Sequence, residues 1–192
     1  MIAGLILAGG VGRRLGGTDK PLLALGRDTI LDRVLARLRA EPVAAIALSA
    51  NGDPARFARF GLTVLADGIA AAGPLAGVLA GLDWAAALGA TALLSVPGDA
   101  PFLPAGLLAA LLPAPACAVA DGRLQPLVAL WPVAARAALR DWLSSGQSRK
   151  VGAFAATLGM RAVDFPEAAA DGFANINTPE ELAAARARPT VG

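Results

Sequence analysis

The chain has no histidine, no tyrosine and one cysteine, Cys117, among its 192 residues. Without an imidazole there can be no Ser-His-Asp triad, no HExxH zinc site and no side chain that ordinarily changes charge near neutral pH. A lone cysteine forms no intramolecular disulfide, which fits a reducing compartment, and its apolar neighbours in "ACAVA" (116–120) suggest an inert core thiol. Lysine is almost as scarce: of 17 basic residues, all but Lys20 and Lys150 are arginine. A lysine kept in so arginine-biased a chain carries information, and Lys20 stands just behind Gly9, Gly10, Gly12, Gly16 and Gly17. The formal charge of +2 gives no reason to expect nucleic acid or a membrane as partner. Any chemistry must therefore use carboxylates, a lysine, backbone amides or a metal held by oxygen.

Also missing is a long uninterrupted apolar segment. Residues 100–120 lack charge over a membrane-sized length, but Pro101, Pro104, Pro113 and Pro115 break them. The apolar start "MIAGLILAGG" has its arginines after the run rather than before it, unlike a secretion signal. The expectation is a soluble cytoplasmic protein. With 56% hydrophobic and 17% charged residues the chain reads as globular, and its length suits a single domain over 1–192.

Short apolar runs alternate with helical patterns: 2–7, 43–49, 62–66, 91–96, 116–120 and 126–131. Near-continuous apolarity over so few residues suits strands covered on both faces. In "DTILDRVLARLRAE", Ile30, Leu31, Val34, Leu35 and Leu38 share one helical face, with Asp28 or Thr29 as N-cap. Further helices are expected over about 53–59, 75–88, 104–112, 133–144, 149–158 and 179–187. This order implies an α/β fold, a three-layer α/β/α arrangement around a mostly parallel sheet. Ligands of such sheets sit beyond the carboxyl ends of the strands, here after Leu7 and after Val96.

In "LAGGVGRRLGGTDKPLL" (7–23) the glycines let backbone amides converge on phosphate oxygens, unless the segment is only a surface turn. It is neither common phosphate loop. A Rossmann fingerprint from Gly10 would need glycine at Leu15, and a Walker A motif would need Lys-Ser/Thr where Thr18 and Asp19 follow Gly17. Pro21 should hold Lys20 extended, on the loop. Asp99, in "SVPGDAPFL", follows a buried strand; it is either an Asx-turn residue or a ligand for a hard cation beside a triphosphate. Gly73, Gly77 and Gly81 are spaced by four, either to let an element approach closely or to set a helix start against a nucleotide. Asp67-Gly68 reads as a turn. Thr178, Pro179 and Glu181 form a capping-box pattern that leaves Asn175 and Asn177 for a polar ligand or the local backbone. Arg123, Arg149 and Lys150 read as solvated charges that only a second anionic substrate would recruit.

Together "LAGGVGRRLGGTDKPLL", "GPLAGVLAGL", "VPGDAPFL", "DGRLQPLVAL" and "FANINTPEEL" resemble, in order and separation, the molybdenum cofactor guanylyltransferases. The resemblance runs from Leu5 to about Leu182 and implies the Rossmann-like fold of the nucleotide-diphospho-sugar transferases. It also implies a reaction in which MgGTP and a molybdopterin-type cofactor give the guanine dinucleotide and pyrophosphate. By resemblance, Leu7, Ala8, Gly9 and Gly10 hold the nucleotide, Arg14 and Lys20 neutralise its phosphates, and Asn51 and Asp67 make further contacts. Asp99 resembles the Mg²⁺ ligand, Gly77 lines the cleft, and Asn175 and Asn177 are pterin-side asparagines. The N-terminal half would then bind the nucleotide and the C-terminal half the acceptor, with transient contacts to proteins that supply and receive the cofactor.

Two positions depart from the family pattern: Gln125 stands where histidine is common, and Gly98 where many members have cysteine. Glutamine hydrogen-bonds but shuttles no proton near neutral pH. An already ionised acceptor phosphate needs no such base. Cytidylyl relatives tend to read Leu-Ala-Ala-Gly and to carry aspartates for the two late asparagines, so Gly9, Asn175 and Asn177 favour guanine. A nucleotidyltransferase that uses another nucleotide or a sugar phosphate, and a protein that binds nucleotide without catalysis, are the alternatives.

Overall fold

Each of the six apolar runs becomes a strand of one sheet in the computed structural model, which describes residues 1–9, 19–68, 73–166 and 172–188. They are β1 (Ile2–Leu7), β4 (Ile46–Ser49), β5 (Thr63–Leu65), β6 (Ala92–Pro97), β7 (Ala116–Ala120) and β8 (Arg123–Pro132). A short hairpin of β2 (Ala24–Leu25) and β3 (Asp28–Thr29) lies apart, and β9 (Arg161–Asp164) completes a seven-stranded sheet of order β5-β4-β1-β6-β8-β7-β9. The pairs β1–β4, β1–β6, β4–β5 and β7–β9 are parallel; only β8 runs against its neighbours.

Strand periodicity of two sorts the core into two faces. Ile6, Leu48, Leu94, Ala118 and Leu130 point to one apolar cluster. Their neighbours Leu5, Ala47, Leu93, Cys117 and Ala129 point to the other. On the first face pack α1 (Ile30–Arg39), α3 (Leu107–Leu111) and α6 (Pro179–Ala187); on the second pack α2 (Pro74–Ala87), α4 (Arg136–Ser144) and α5 (Val151–Thr157). The expected three-layer α/β/α arrangement is thus present. Cys117 is buried and its thiol is pushed up by burial, fitting a packing role.

Local chemistry sets the ends of the elements. Thr29, not Asp28, caps α1: its hydroxyl accepts from Asp32 N at 3.2 Å, and Asp32 accepts from Thr29 N at 2.8 Å. The helix expected over 104–112 shrinks to α3 because Gly106 takes a left-handed φ of 70°; the buried Glu41 carboxylate accepts from Leu107 N and Leu108 N at 3.0 Å each. Residues 54–60 form a 3-10 helix rather than an α-helix, started by Asp53. The edge strand β9 was not legible, since "RAVD" is short and half polar. No helix among the described residues is long and apolar enough to cross a membrane.

Candidate active site

Parallel pairing places the ends of β1, β4 and β6 side by side, with Leu7 opposite both Ser49 and Pro97. The ladder continues past them: Ala8 N donates to Ser49 O at 2.9 Å, and Gly98 N to Leu7 O at 2.9 Å. A Cβ at Gly98 would lie 3.1 Å from Leu7 O, so the missing side chain lets the two segments close up. Beyond these ends opens a cavity of about 330 Å³, whose floor is Leu7, Ala8 and Gly9.

Asp99 lines this cavity, and so does Lys20, whose Nζ lies 3.8 Å from Asp99 Oδ2. The lysine instead donates to Asn177 Oδ1 at 2.6 Å, linking residues 157 apart in the chain. Pro21 does not leave Lys20 extended as expected. It begins a 3-10 turn, Lys20–Leu22, in which Leu22 N donates to Asp19 O at 2.9 Å. The late asparagines are aimed by the residue between them. Ile176 is buried and its N–H donates to Asp99 O at 2.9 Å, so Asn175 and Asn177 point away from the core. Asn175 lines the cavity, while Thr178 and Glu181 close the expected capping box.

Burial pushes the Asp99 carboxyl above its ordinary value; the Lys20 ammonium works against this shift and the more distant Glu181 adds to it. At 3.8 Å the lysine is too far to saturate the carboxylate by hydrogen bonding. Among the described residues no three His, Cys, Asp or Glu side chains converge. This donor set suits a hard cation that takes one or two carboxylates and draws its remaining ligands from phosphate and water, and it does not suit a protein-caged metal.

On the opposite wall, Asn51 and Asp67 line the cavity, and the Asn51 side chain accepts from Asp67 N at 3.1 Å. Asn51 therefore has a structural task as well as a place at the cavity. Gly73 and Pro74 begin α2 at the rim with no side-chain cap, leaving the positive end of a 14-residue helix beside the cavity. The close-approach reading of the spaced glycines holds at Gly77, which packs against the sheet and also lines the cavity. A Cβ there would lie 2.5 Å from Ser49 Oγ and 2.9 Å from Leu7 Cδ2. Gly77→Ala gains about 1 kcal/mol of helix propensity but overpacks a buried contact at a cost of about 1–3 kcal/mol. We expect a net loss of stability in denaturant unfolding, with a narrowed cavity. A stabilised variant would contradict the packing.

A second cavity of about 440 Å³ adjoins the first across Pro74, Pro97, Leu127 and Asn175. Its wall is shaped by Pro126. Lacking an N–H, this proline cannot extend the ladder, and the β7–β8 register jumps from Cys117–Ala129 to Ala118–Gln125. Gln125, Arg149 and Lys150 line this second cavity, whereas Arg123 lies exposed away from both. Gly10 and Arg14 lie outside the described residues.

The family model described as "MobA-like NTP transferase domain" matches residues 4–159. A molybdenum cofactor guanylyltransferase of Acidiphilium cryptum is 56% identical over 95% of this chain and 93% of its own length. The chain belongs to the molybdenum cofactor guanylyltransferase family. It is accordingly a nucleotidyltransferase. A molybdenum cofactor guanylyltransferase of Cereibacter sphaeroides is 52% identical over 95% of this chain and 94% of its own length. The fold matches the crystal structure of the molybdopterin-guanine dinucleotide biosynthesis protein A of Archaeoglobus fulgidus, with a TM-score of 0.71, 22% identity and 96% of each chain covered. Sequence reading within this family did not single out Ser49, Leu127 or the pair Asp19–Arg56, whose ion pair measures 2.7 Å. The acid directly before Lys20 was the available signal.

Proposed function

We propose that the protein transfers the GMP unit of GTP to the terminal phosphate of a molybdopterin-type cofactor, giving the guanine dinucleotide and pyrophosphate. The observation that carries this reading is the convergence of Lys20, Asp99 and Asn175 at one cavity, with Asn177 bonded to the lysine, in a chain of this family. An oxygen of the acceptor phosphate attacks the α-phosphorus of GTP in line. The bond from that phosphorus to the oxygen bridging the β-phosphate breaks, and its electron pair leaves with pyrophosphate. No proton has to be removed from an ionised phosphate, which suits a chain without histidine. The main obstacle is repulsion between two anions.

Leu7, Ala8, Gly9, Asn51, Asp67 and Gly77 hold the nucleotide in this reading, joined by Gly10 and Arg14 from the glycine-rich segment. Lys20 and the exposed amino end of α2 place positive potential where phosphate charge accumulates. Asp99 would hold Mg²⁺, which when bound supplies further positive charge to the phosphate oxygens. Asn177 fixes the Lys20 ammonium, and Asn175, at the junction of the two cavities, faces the pterin. The second cavity, with Arg149 and Lys150, takes the anionic acceptor. The N-terminal half of a single domain thus serves the nucleotide and the C-terminal half the acceptor, in the cytoplasm.

A thermal-shift panel of GTP, CTP, UTP and ATP with Mg²⁺ tests the nucleotide choice. A ligand at about a hundred times its Kd adds about 2.7 kcal/mol, so GTP should give the largest shift. A larger shift with CTP would assign the protein to cytidylyl transfer. Gln125 provides a separate check. Gln125→His should leave kcat within about threefold and add no new titration between pH 6 and 8. A much larger gain carrying an imidazole-like titration would show that the acceptor requires a base.

A further inference from the structure

Arg56 does not line the nucleotide cavity, yet its guanidinium joins the segments that do. Its Nε lies 2.7 Å from Asp19 Oδ2, its Nη1 donates to Asp53 O at 3.1 Å, and its Nη2 donates to Asn51 O. The fork lies over the ring of the buried Phe57, 4.7 Å from its centroid. Asn51 passes the connection on through its side chain to Asp67 N. One side chain therefore ties together the residue preceding Lys20, the segment after β4 and, through Asn51, the segment after β5.

An ordinary surface ion pair contributes little, but this one is unlike that case. Its Nε is shut off from solvent and meets Asp19 as a close charge pair rather than an aligned hydrogen bond, and the Arg56 and Asp19 side chains are only 26% and 27% exposed. A planar fork that donates to two backbone carbonyls, pairs its charge with Asp19 and rests on an aromatic ring is preorganised in a way that a lysine ammonium is not. The backbone also makes room for it. Gly52 has φ of 84°, and a Cβ there would come within 2.8 Å of Arg56 Nη1.

We propose that Arg56 is a positioning residue for nucleotide binding: it holds Asp19, and with it Lys20, in fixed relation to the Asn51–Asp67 wall. It also neutralises the carboxylate adjacent in sequence to that ammonium. The inference rests on the guanylyl-transfer reading for the identity of the nucleotide.

The test compares wild type, Arg56→Lys, Arg56→Met, Asp19→Asn and the Arg56→Met/Asp19→Asn double variant. Readouts are calorimetric binding of MgGTP, kcat, both KM values and Tm. Arg56→Met should weaken MgGTP binding by about tenfold or more, with the KM for molybdopterin unchanged. Arg56→Lys should recover only a minor part of that loss, and the double variant should bind no worse than Arg56→Met alone. Should Arg56→Met fail to fold, Asp19→Asn decides by itself, with MgGTP binding weakened several-fold as the expected result. MgGTP affinity within twofold of wild type in the folded variants would overturn the proposal. So would an equal rise in both KM values that follows a fall in Tm. A wild type that bound CTP in place of GTP would instead contradict the function assigned above, and the same comparison made with CTP would still decide the clamp.

Discussion

Lys20→Ala should lower guanylyl transfer by about 10²–10³-fold, with the circular dichroism spectrum unchanged. The ammonium donates to Asn177 Oδ1 at 2.6 Å and stands 3.8 Å from Asp99 Oδ2, at the junction of the β1 and β6 ends with the final loop. In the proposed reaction, its removal takes a fixed positive charge from the point where two anionic phosphates would meet. The loss should fall mainly on kcat, because charge shifts towards the leaving pyrophosphate as the bond breaks. Folding should survive. The side chain is 20% exposed at the cavity, and the turn that carries it is held by backbone bonds that alanine keeps. Lys20→Arg restores charge with a different shape and should recover only part of the rate. Turnover like that of wild type in folded Lys20→Ala would remove this residue from the account.

Asp99→Asn should abolish turnover, yet without loss of thermal stability at neutral pH. Burial holds the Asp99 carboxyl above its ordinary value of 3.8, so desolvation of the charged form outweighs the attraction of Lys20. Between 3.8 and the raised folded value, the native protein binds more protons than the unfolded chain. Stability is therefore highest below that window and falls as pH rises through it. At pH 7 the ionised carboxylate costs stability, a cost that asparagine, of nearly the same shape, avoids. The Tm of Asp99→Asn should equal or exceed that of wild type at pH 7, with the difference shrinking as pH is lowered towards 4. If Asp99 holds Mg²⁺ as proposed, proton and cation compete for it. At limiting Mg²⁺, wild-type activity should then fall on the acid side at a higher pH than an ordinary aspartate would give, and saturating Mg²⁺ should lower that pH. A variant clearly less stable than wild type at pH 7 would mean that the Lys20 pair outweighs burial.

Much of this was legible because it rests on local rules. Continuous apolar runs mark strands buried on both faces, and β1, β4, β6 and β7 are such strands. The cap at Thr29 and the box at Thr178–Glu181 follow from residue type and spacing. Asp99 stood out because it follows a strand end whose position the topology fixes, and Lys20 because it is one of two lysines and follows the glycine-rich segment; both line the cavity. What escaped depends on contacts distant in sequence. The Arg56–Asp19 pair spans two loops and, in a chain with 17 basic residues, one more arginine gives no signal. Strand β9 is half polar because it pairs at the edge beyond β7. Asn175 and Asn177 could be read either way until the alternation about Ile176, tied to Asp99 O, aimed them off the core. The bulge that sets Gln125 and Leu127 at the second cavity had its sign in Pro126, whose effect on register appears only once β7 lies beside it.

The most direct measurement is an incubation of purified wild-type protein with MgGTP and molybdopterin, following pyrophosphate release and the pterin product together. One pyrophosphate should appear for each guanine dinucleotide formed, with GTP consumed in preference to CTP and nothing released when molybdopterin is left out. Bound GTP that yields no dinucleotide, or a cytosine dinucleotide formed in preference to the guanine one, would contradict the assignment.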